Sequence, residues 1–345
     1  MEMDERKIKI LQAIINDYIN TAEPVGSRTI AKKYDLGISS ATIRNEMADL
    51  EEMGYLEQLH SSSGRKPSDK GYRLYVDKLM RVQRVSQEEL NIIRAHMLNS
   101  ALYEMDKMIK QATTILAELT GLTSIVRSPS VKKSSLKSIQ LINIDGNSIL
   151  SVIITDAGII KNNIIRMKKP VDTEVLVKLS NLLNIRLVDL NIEEIHLEVI
   201  NNLKDDLKGY DDIFNAIIPA LYESLNSIDK SEIYMEGSTN IFNFPEYNDI
   251  QRAKNFLSLI DNKDKIKFLI NNSDSISVKI GEENYLEDAR DCTVISAVYR
   301  LKNRPLGTIG VIGPTRMPYS KVISILGEIV TEINGIINEE NIDNP

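Results

Sequence analysis

Hydrophobic positions in the first fifty residues recur at helical spacing. Ile8, Leu11, Ile15 and Tyr18 fall three and four apart, which predicts an amphipathic helix over residues 4–20. Glu23-Pro24-Val25-Gly26 stops it. Ser27 is placed to cap a short second helix ending near Tyr34, and Asp35-Leu36-Gly37-Ile38 is a tight turn. Ser39 caps a third helix running to about Met53, where Gly54 ends it. Tyr55 to Leu59 is strand-like, His60 to Gly64 is a polar loop tip, and Arg65-Lys66-Pro67 returns. Ser68 then caps a helix carrying Tyr72, Tyr75, Val76 and Leu79. A continuous helical stretch is expected over 86–120, with Met105, Met108, Ala112, Ile115 and Leu119 forming a seam that either packs onto the next domain or meets a second subunit.

From Ile139 the period changes to two. Three strands are expected around two turns, Asp145-Gly146 and Asp156-Ala157-Gly158. Helices near 172–185, 211–227 and 249–260 follow, with strands near 194–200, 231–236, 276–280, 292–299 and 306–312. The apolar stripe from Val322 to Ile336 marks a C-terminal helix. The pattern is α+β with a mostly antiparallel sheet, and 345 residues imply two or three domains.

Composition narrows the picture. A hydrophobic share of 42% with 26% charged residues is that of a globular chain, and no apolar run is long enough to span a bilayer. The charged N-terminus is not a signal peptide, and a lone cysteine, Cys292, permits no intrachain disulfide, which fits a cytoplasmic setting. The net charge of −7 argues against indiscriminate nucleic-acid binding. Residues 1–80 carry 12 Lys and Arg against 13 Asp and Glu, so any positive face there must be local. Arg65, Lys66, Lys70 and Arg73 against Asp69 supply one.

On the third helix, Ile43, Met47 and Leu50 define an inner face at about 100° per residue. Ala41, Asn45 and Ala48 then face outward, flanked by Thr42, Arg44 and Asp49. Small alanines let a helix approach base edges, Asn45 is suited to adenine, and Arg44 to guanine or a phosphate. Ser39 and Ser40 sit at the helix start, where backbone N–H groups hold phosphates. In the loop 61–67, Gly64 is expected to take an unusual backbone angle, Arg65 to enter a minor groove and Lys66 to meet a phosphate. Helix, turn, helix and basic-tipped hairpin together predict a winged helix-turn-helix that binds double-stranded DNA.

Other chemistry has less support. His60, His96 and His196 are scattered, no metal-ligand spacing occurs, and Cys292 opens an apolar strand as a core thiol would. Gly307 to Gly313 lacks the Gly-Lys-Ser/Thr ending of a phosphate loop and sits in a strand pattern, where glycines permit a bulge or close packing. No enzyme activity, metal or cofactor is expected. Two alternatives remain, a ligand-responsive regulator and a chaperone-binding module. The first needs convergent polar residues on the inner sheet face, where Ile, Val and Leu dominate. The second is disfavoured by the polar outer face of the third helix.

Residues 23–80, from EPVGSRTIAKKYDLG to GYRLYVDKLM, resemble the N-terminus of the HrcA family of bacterial heat-inducible transcription repressors, and residues 291–319, DCTVISAVYRLKNRPLGTIGVIGPTRMPY, resemble its closing block. The resemblance implies a winged helix (1–80), a GAF-like α+β domain in two pieces (81–156 and 236–345, with a helical linker over 86–120), and an inserted α+β dimerisation domain (157–235). It implies a homodimer that represses chaperone genes at an inverted-repeat (CIRCE) operator, loses activity on heat stress, and is assisted by the GroEL chaperonin. Family-like positions are Ser39, Thr42, Arg44, Asn45, Gly64 and Arg65. Departures are Ser40 for a common proline, Ser68 for a common threonine, and the turn Lys302-Asn303-Arg304, which lacks an expected glycine.

Overall fold

The computed structural model describes residues 3–58, 64–101, 105–128, 135–156, 158–191, 194, 195, 199, 213–219, 232–270 and 275–339. The N-terminal head holds α1 (Glu5–Thr21), α2 (Ser27–Lys33), α3 (Ser40–Glu52) and a hairpin of β1 (Leu56–Gln58) and β2 (Arg65–Pro67). Val25 exchanges two backbone hydrogen bonds with Arg65, at 2.8 and 2.9 Å, and so adds a third short extended segment to that hairpin. The caps match the sequence. Thr42 N donates to Ser39 Oγ and Gly71 N to Ser68 Oγ, both at 3.1 Å, and each satisfies a first-turn N–H that the helix cannot. At α2 the cap is Gly26 and Ser27 is already helical, so the expected Ser27 cap does not form. The apolar stripe of α1 is centred on Ile10, Leu11, Ile14 and Ile15, because α1 is covered on two sides, by α3 and by the hairpin and the helix after it. That helix, α4 (Asp69–Leu74), continues into one wide π turn to Leu79.

The helical stretch expected over 86–120 is two helices, α5 (Gln87–Ala101) and α6 (Met105–Thr120), which pack on each other. Met105, Met108, Ala112 and Ile115 are buried within the chain against this pairing and the C-terminal helix Tyr319–Glu339. Their seam is therefore intrachain packing.

Two sheets follow. The larger has the order β7 (Ile233–Glu236), β3 (Thr123–Arg127), β10 (Arg304–Pro314), β9 (Cys292–Leu301) and β8 (Ile276–Ile280), antiparallel throughout. One face packs on α6 and the C-terminal helix through residues such as Ile295, Ile309 and Val311. The other packs on the helices Ile250–Asp261 and Lys263–Leu269 through Ile125, Val294 and Ile312. Both faces are filled by aliphatic side chains, as the sequence pattern anticipated, and the glycines of β10 serve that packing. A Cβ at Gly310 would stand 2.3 Å from Ile295 O, and one at Gly307 2.1 Å from Tyr299 Oη. The ladder is irregular between Pro305 and Gly307. Lys302 takes φ 53° in the turn where a glycine was expected, with its N–H held by Asn338 Oδ1 at 2.8 Å.

The smaller sheet has the order β4 (Leu136–Asn143), β5 (Ser148–Thr155) and β6 (Ile160–Arg166), backed by α7 (Thr173–Leu187). A boundary at 156/157 therefore falls inside a sheet, between β5 and β6. The second α+β unit begins near residue 135, because β4 and β5 pair with β6 and not with the five-stranded sheet. Of the strand expected over 194–200, Glu194, Ile195 and Val199 are described and none is in a strand, while 213–219 is helical within the helix expected over 211–227; the remaining positions of both lie outside the described residues.

The head is fastened to the larger unit by specific polar contacts. Arg316 Nε and Nη2 donate to Glu246 at 2.6 and 3.1 Å, and its Nη1 donates to Ile19 O at the end of α1 at 2.7 Å. Arg73 donates to Glu283 and to Val278 O, and Glu282 N to Asp69 Oδ2 at 3.0 Å. The Tyr72 and Tyr319 rings lie 5.7 Å apart at this seam. Among the described residues, no helix is long and apolar enough to cross a membrane.

Candidate nucleic-acid interface

The site is built on α3. Ile43, Met47 and Leu50 are buried, and Ala41, Arg44, Asn45 and Ala48 are exposed side by side, with Thr42, Asp49 and Ser40 half-buried at the flanks and Ser39 exposed at the start. The helical spacing alone gives this division. It does not give Glu46, which is buried with the aliphatic residues, because its partner comes from another helix. Lys7 Nζ of α1 lies 2.8 Å from Glu46 Oε2 and 3.1 Å from Asp49 Oδ2, and Arg6 Nη1 lies 3.2 Å from Glu46 Oε1. The Glu46 and Asp49 carboxylates, ion-paired with the Lys7 ammonium, hold it above its ordinary pKa, so it stays charged at neutral pH.

The hairpin brings Gly64, Arg65 and Lys66 beside α3, with their cations engaged inside the chain. Arg65 Nε and Nη2 reach Glu51 Oε2 on the last turn of α3 at 2.8 and 2.7 Å. Lys66 Nζ reaches Glu57 Oε2, its cross-strand neighbour, at 2.9 Å. Entry of Arg65 into a minor groove thus requires it to leave Glu51. The loop tip 59–63, with His60 and the three serines, lies outside the described residues. Gly64 is required for a different reason from the one expected. Its φ is not in the left-handed region; instead a Cβ there would stand 2.6 Å from Pro24 O and from the Val25 carbonyl. Gly64→Ala is therefore expected to push the hairpin off Val25 at a cost of about 1–3 kcal/mol, as overpacking does. Urea unfolding checks this, and an unchanged midpoint would show that the segment yields freely.

Sequence reasoning passed over α2. Arg28, Thr29 and Lys32 are exposed on it, and Arg28 and Lys32 fall four apart on one face next to α3. Lys70 donates to Met53 O at 2.9 Å and lies over the Tyr55 ring, so it caps the C-terminal end of α3. In the larger unit, Cys292 is buried beside Tyr247 Oη, 3.6 Å from its Sγ, and burial pushes the thiol up to about 12. It is a protonated core thiol.

A polar helix turned outward on a small head, fastened to a larger α+β body, is the build of a transcription regulator, and comparison with known proteins agrees. Residues 106–323 match the family model described as the HrcA protein C terminal domain. The heat-inducible transcription repressor HrcA of Clostridium tetani is 62% identical over 99% of this chain and 98% of its own length, and that of Clostridium acetobutylicum is 59% identical over 99% of both. A solved structure described as a hypothetical protein superposes with a TM-score of 0.66 over 98% of this chain and 99% of its own, at 22% identity, which shows a shared fold. The chain belongs to the HrcA family of heat-inducible transcription repressors, a regulatory family and not an enzyme family.

Proposed function

We propose that this protein is a cytoplasmic homodimer that represses chaperone genes by binding an inverted-repeat operator of the CIRCE type, with a winged helix as its reading head and GroEL as an assisting partner, and that heat stress releases it. The exposed polar stripe on α3 carries this reading. Ala41, Arg44, Asn45 and Ala48 form a slim, donor-bearing surface bounded by buried aliphatic residues, which suits a major groove. Ser39 and Ser40 at the helix start, with Arg28, Thr29 and Lys32 on α2, supply phosphate contacts around it. Thr42 supports the stripe through the Ser39 hydroxyl, 3.0 Å from its own. Gly64, Arg65 and Lys66 carry the wing, whose cations exchange Glu51 and Glu57 for phosphates on binding. The larger sheet with its two helical layers is the GAF-like domain, and its filled faces leave ligand sensing there without support.

The dimer rests on a second observation. One face of the β4–β5–β6 sheet packs on α7, and the other presents Ile142, Leu150, Val152, Ile154, Ile160 and Ile164. Ile142, Ile160 and Ile164 are 46%, 40% and 58% exposed. Exposed aliphatic area of this kind, interrupted on the same face by Ser138, Gln140 and Asn162, suits a protein interface with a polar component, and a two-fold dimer matches a palindromic operator.

A binding titration at fixed salt tests the reading, comparing an inverted-repeat chaperone-operon fragment with a scrambled duplex, with and without chaperonin. Tight, repeat-dependent binding improved by chaperonin is expected; equal weak binding to both duplexes overturns it. In the same assay Asn45→Ala or Arg44→Ala is expected to cost about 1–3 kcal/mol per half-site on operator alone. Equal losses on both duplexes would reassign that residue to the phosphate backbone.

A further inference from the structure

We infer that the Lys7–Glu46 pair positions the reading helix, so that sequence discrimination depends on an ammonium borne by α1. The inference rests on α3 being the base-reading element.

Aliphatic packing by Ile43, Met47 and Leu50 holds α3 against the head, but such contacts have no direction and tolerate rolling of a helix about its axis. A functional constellation needs its side chains held within about 10–20°. Lys7 supplies what the aliphatic contacts lack. Its Nζ bridges Glu46 and Asp49, one turn apart on α3, at 2.8 and 3.1 Å, and Asp4 at the cap of α1 stands 3.8 Å away. Two anchors separated along one helix fix both its rotation and its advance. They sit directly beside outward residues, since Glu46 follows Asn45 and Asp49 follows Ala48. Lys7 and Glu46 are each only 8% exposed, so the geometry is held with little exchange to water. The apolar core of the head is complete without this pair. A buried pair is weak evidence for stability, and fixing one conformation is the role that two anchors on α3 support here.

The double variant Lys7→Met/Glu46→Leu separates the two roles, because it removes both buried charges, and the partners that remain, Arg6 and Asp49, are 54% and 33% exposed and solvated. Its thermal midpoint and its affinity for a scrambled duplex are expected to stay near wild type, while the ratio of operator to scrambled affinity falls tenfold or more. Asn45→Ala, run alongside, must lower the same ratio. If Asn45→Ala lowers it and the double variant does not, the positioning role is wrong and base reading by α3 stands. If neither lowers it, base reading by α3 fails and the inference with it. If the double variant does not fold, Asp49→Asn decides, since Asp49 is partly exposed and its amide removes one anchor only. A fall in the ratio of threefold or more supports positioning, and an unchanged ratio overturns it.

Discussion

Ile160→Glu/Ile164→Glu is expected to convert the protein to a monomer at micromolar concentration and to lower operator affinity by about 10²–10⁴-fold, the range by which linking two binding modules exceeds one. Both residues lie on β6, four apart and on the same face, and their exposure means that carboxylates there are solvated in the free subunit, so the fold survives. In a dimer sealed by this face the same carboxylates would be buried against aliphatic side chains without partners, a burial that carries a large penalty. Sedimentation velocity reads the assembly directly. The half-site affinity of the monomer should be unchanged, because the substitutions lie in a different sheet from the head. Ile185→Glu on α7, 78% exposed and carried on the helix that covers the opposite face of the sheet, is the matched control and should remain dimeric. A dimer that persists in the β6 variant removes this face from the interface.

Local features of the head were legible because they are written in short spacings. Three aliphatic positions on one stripe oriented α3, and serine caps placed the starts of α3 and α4, since a side-chain oxygen in the right place satisfies N–H groups that nothing else local can. The Asp145-Gly146 turn was legible for the same reason, with Asp145 Oδ1 accepting from Asn147 N and Ser148 N. Where the sequence fell short, the deciding partner lay far along the chain. A glutamate on a helix reads as solvated, and only its cationic partners on α1, Lys7 and Arg6, account for a buried Glu46. Gly64 reads as a flexible residue, and only the passage of Pro24 and Val25 shows that it is there for space. Alternation predicted β4, β5 and β6 as strands but held no information on which sheet each would join, which moved the second unit's start to near residue 135. The basic hairpin misled in another way. Opposite charges at Glu57 and Lys66 become neighbours through the strand register, so a segment that counts as cationic is internally neutralised.

Breaking the Arg316–Glu246 pair should have the largest effect on stability. Arg316 lies in the closing block, residues 291–319, yet it acts on the head at the other end of the chain, by donating to Ile19 O while Glu246 grips it through both carboxylate oxygens. The two side chains are largely buried, and removing one partner of such a pair strands the other. Glu246→Ala is therefore expected to lower stability by about 3–5 kcal/mol in urea unfolding, well beyond the ~1 kcal/mol or less of a surface pair. Arg316→Met/Glu246→Leu, which strands no charge and gives up only the bond to Ile19 O, should lose much less. A loss near 1 kcal/mol or less in Glu246→Ala would mean that water reaches the guanidinium freely. The functional consequence follows from symmetry. In the proposed dimer, two rigidly held heads would present their α3 helices at a fixed separation, so an operator with one or two base pairs added between its half-sites should bind poorly. With Arg316 itself removed, its hold on Ile19 O is lost, and Arg316→Met/Glu246→Leu should bind the lengthened operator nearly as well as the native one, at a temperature where the variant is still folded. Retained discrimination between the two spacings would assign the rigidity of the head to the other seam contacts, Arg73 with Glu283 and Asp69 with the Glu282 N–H.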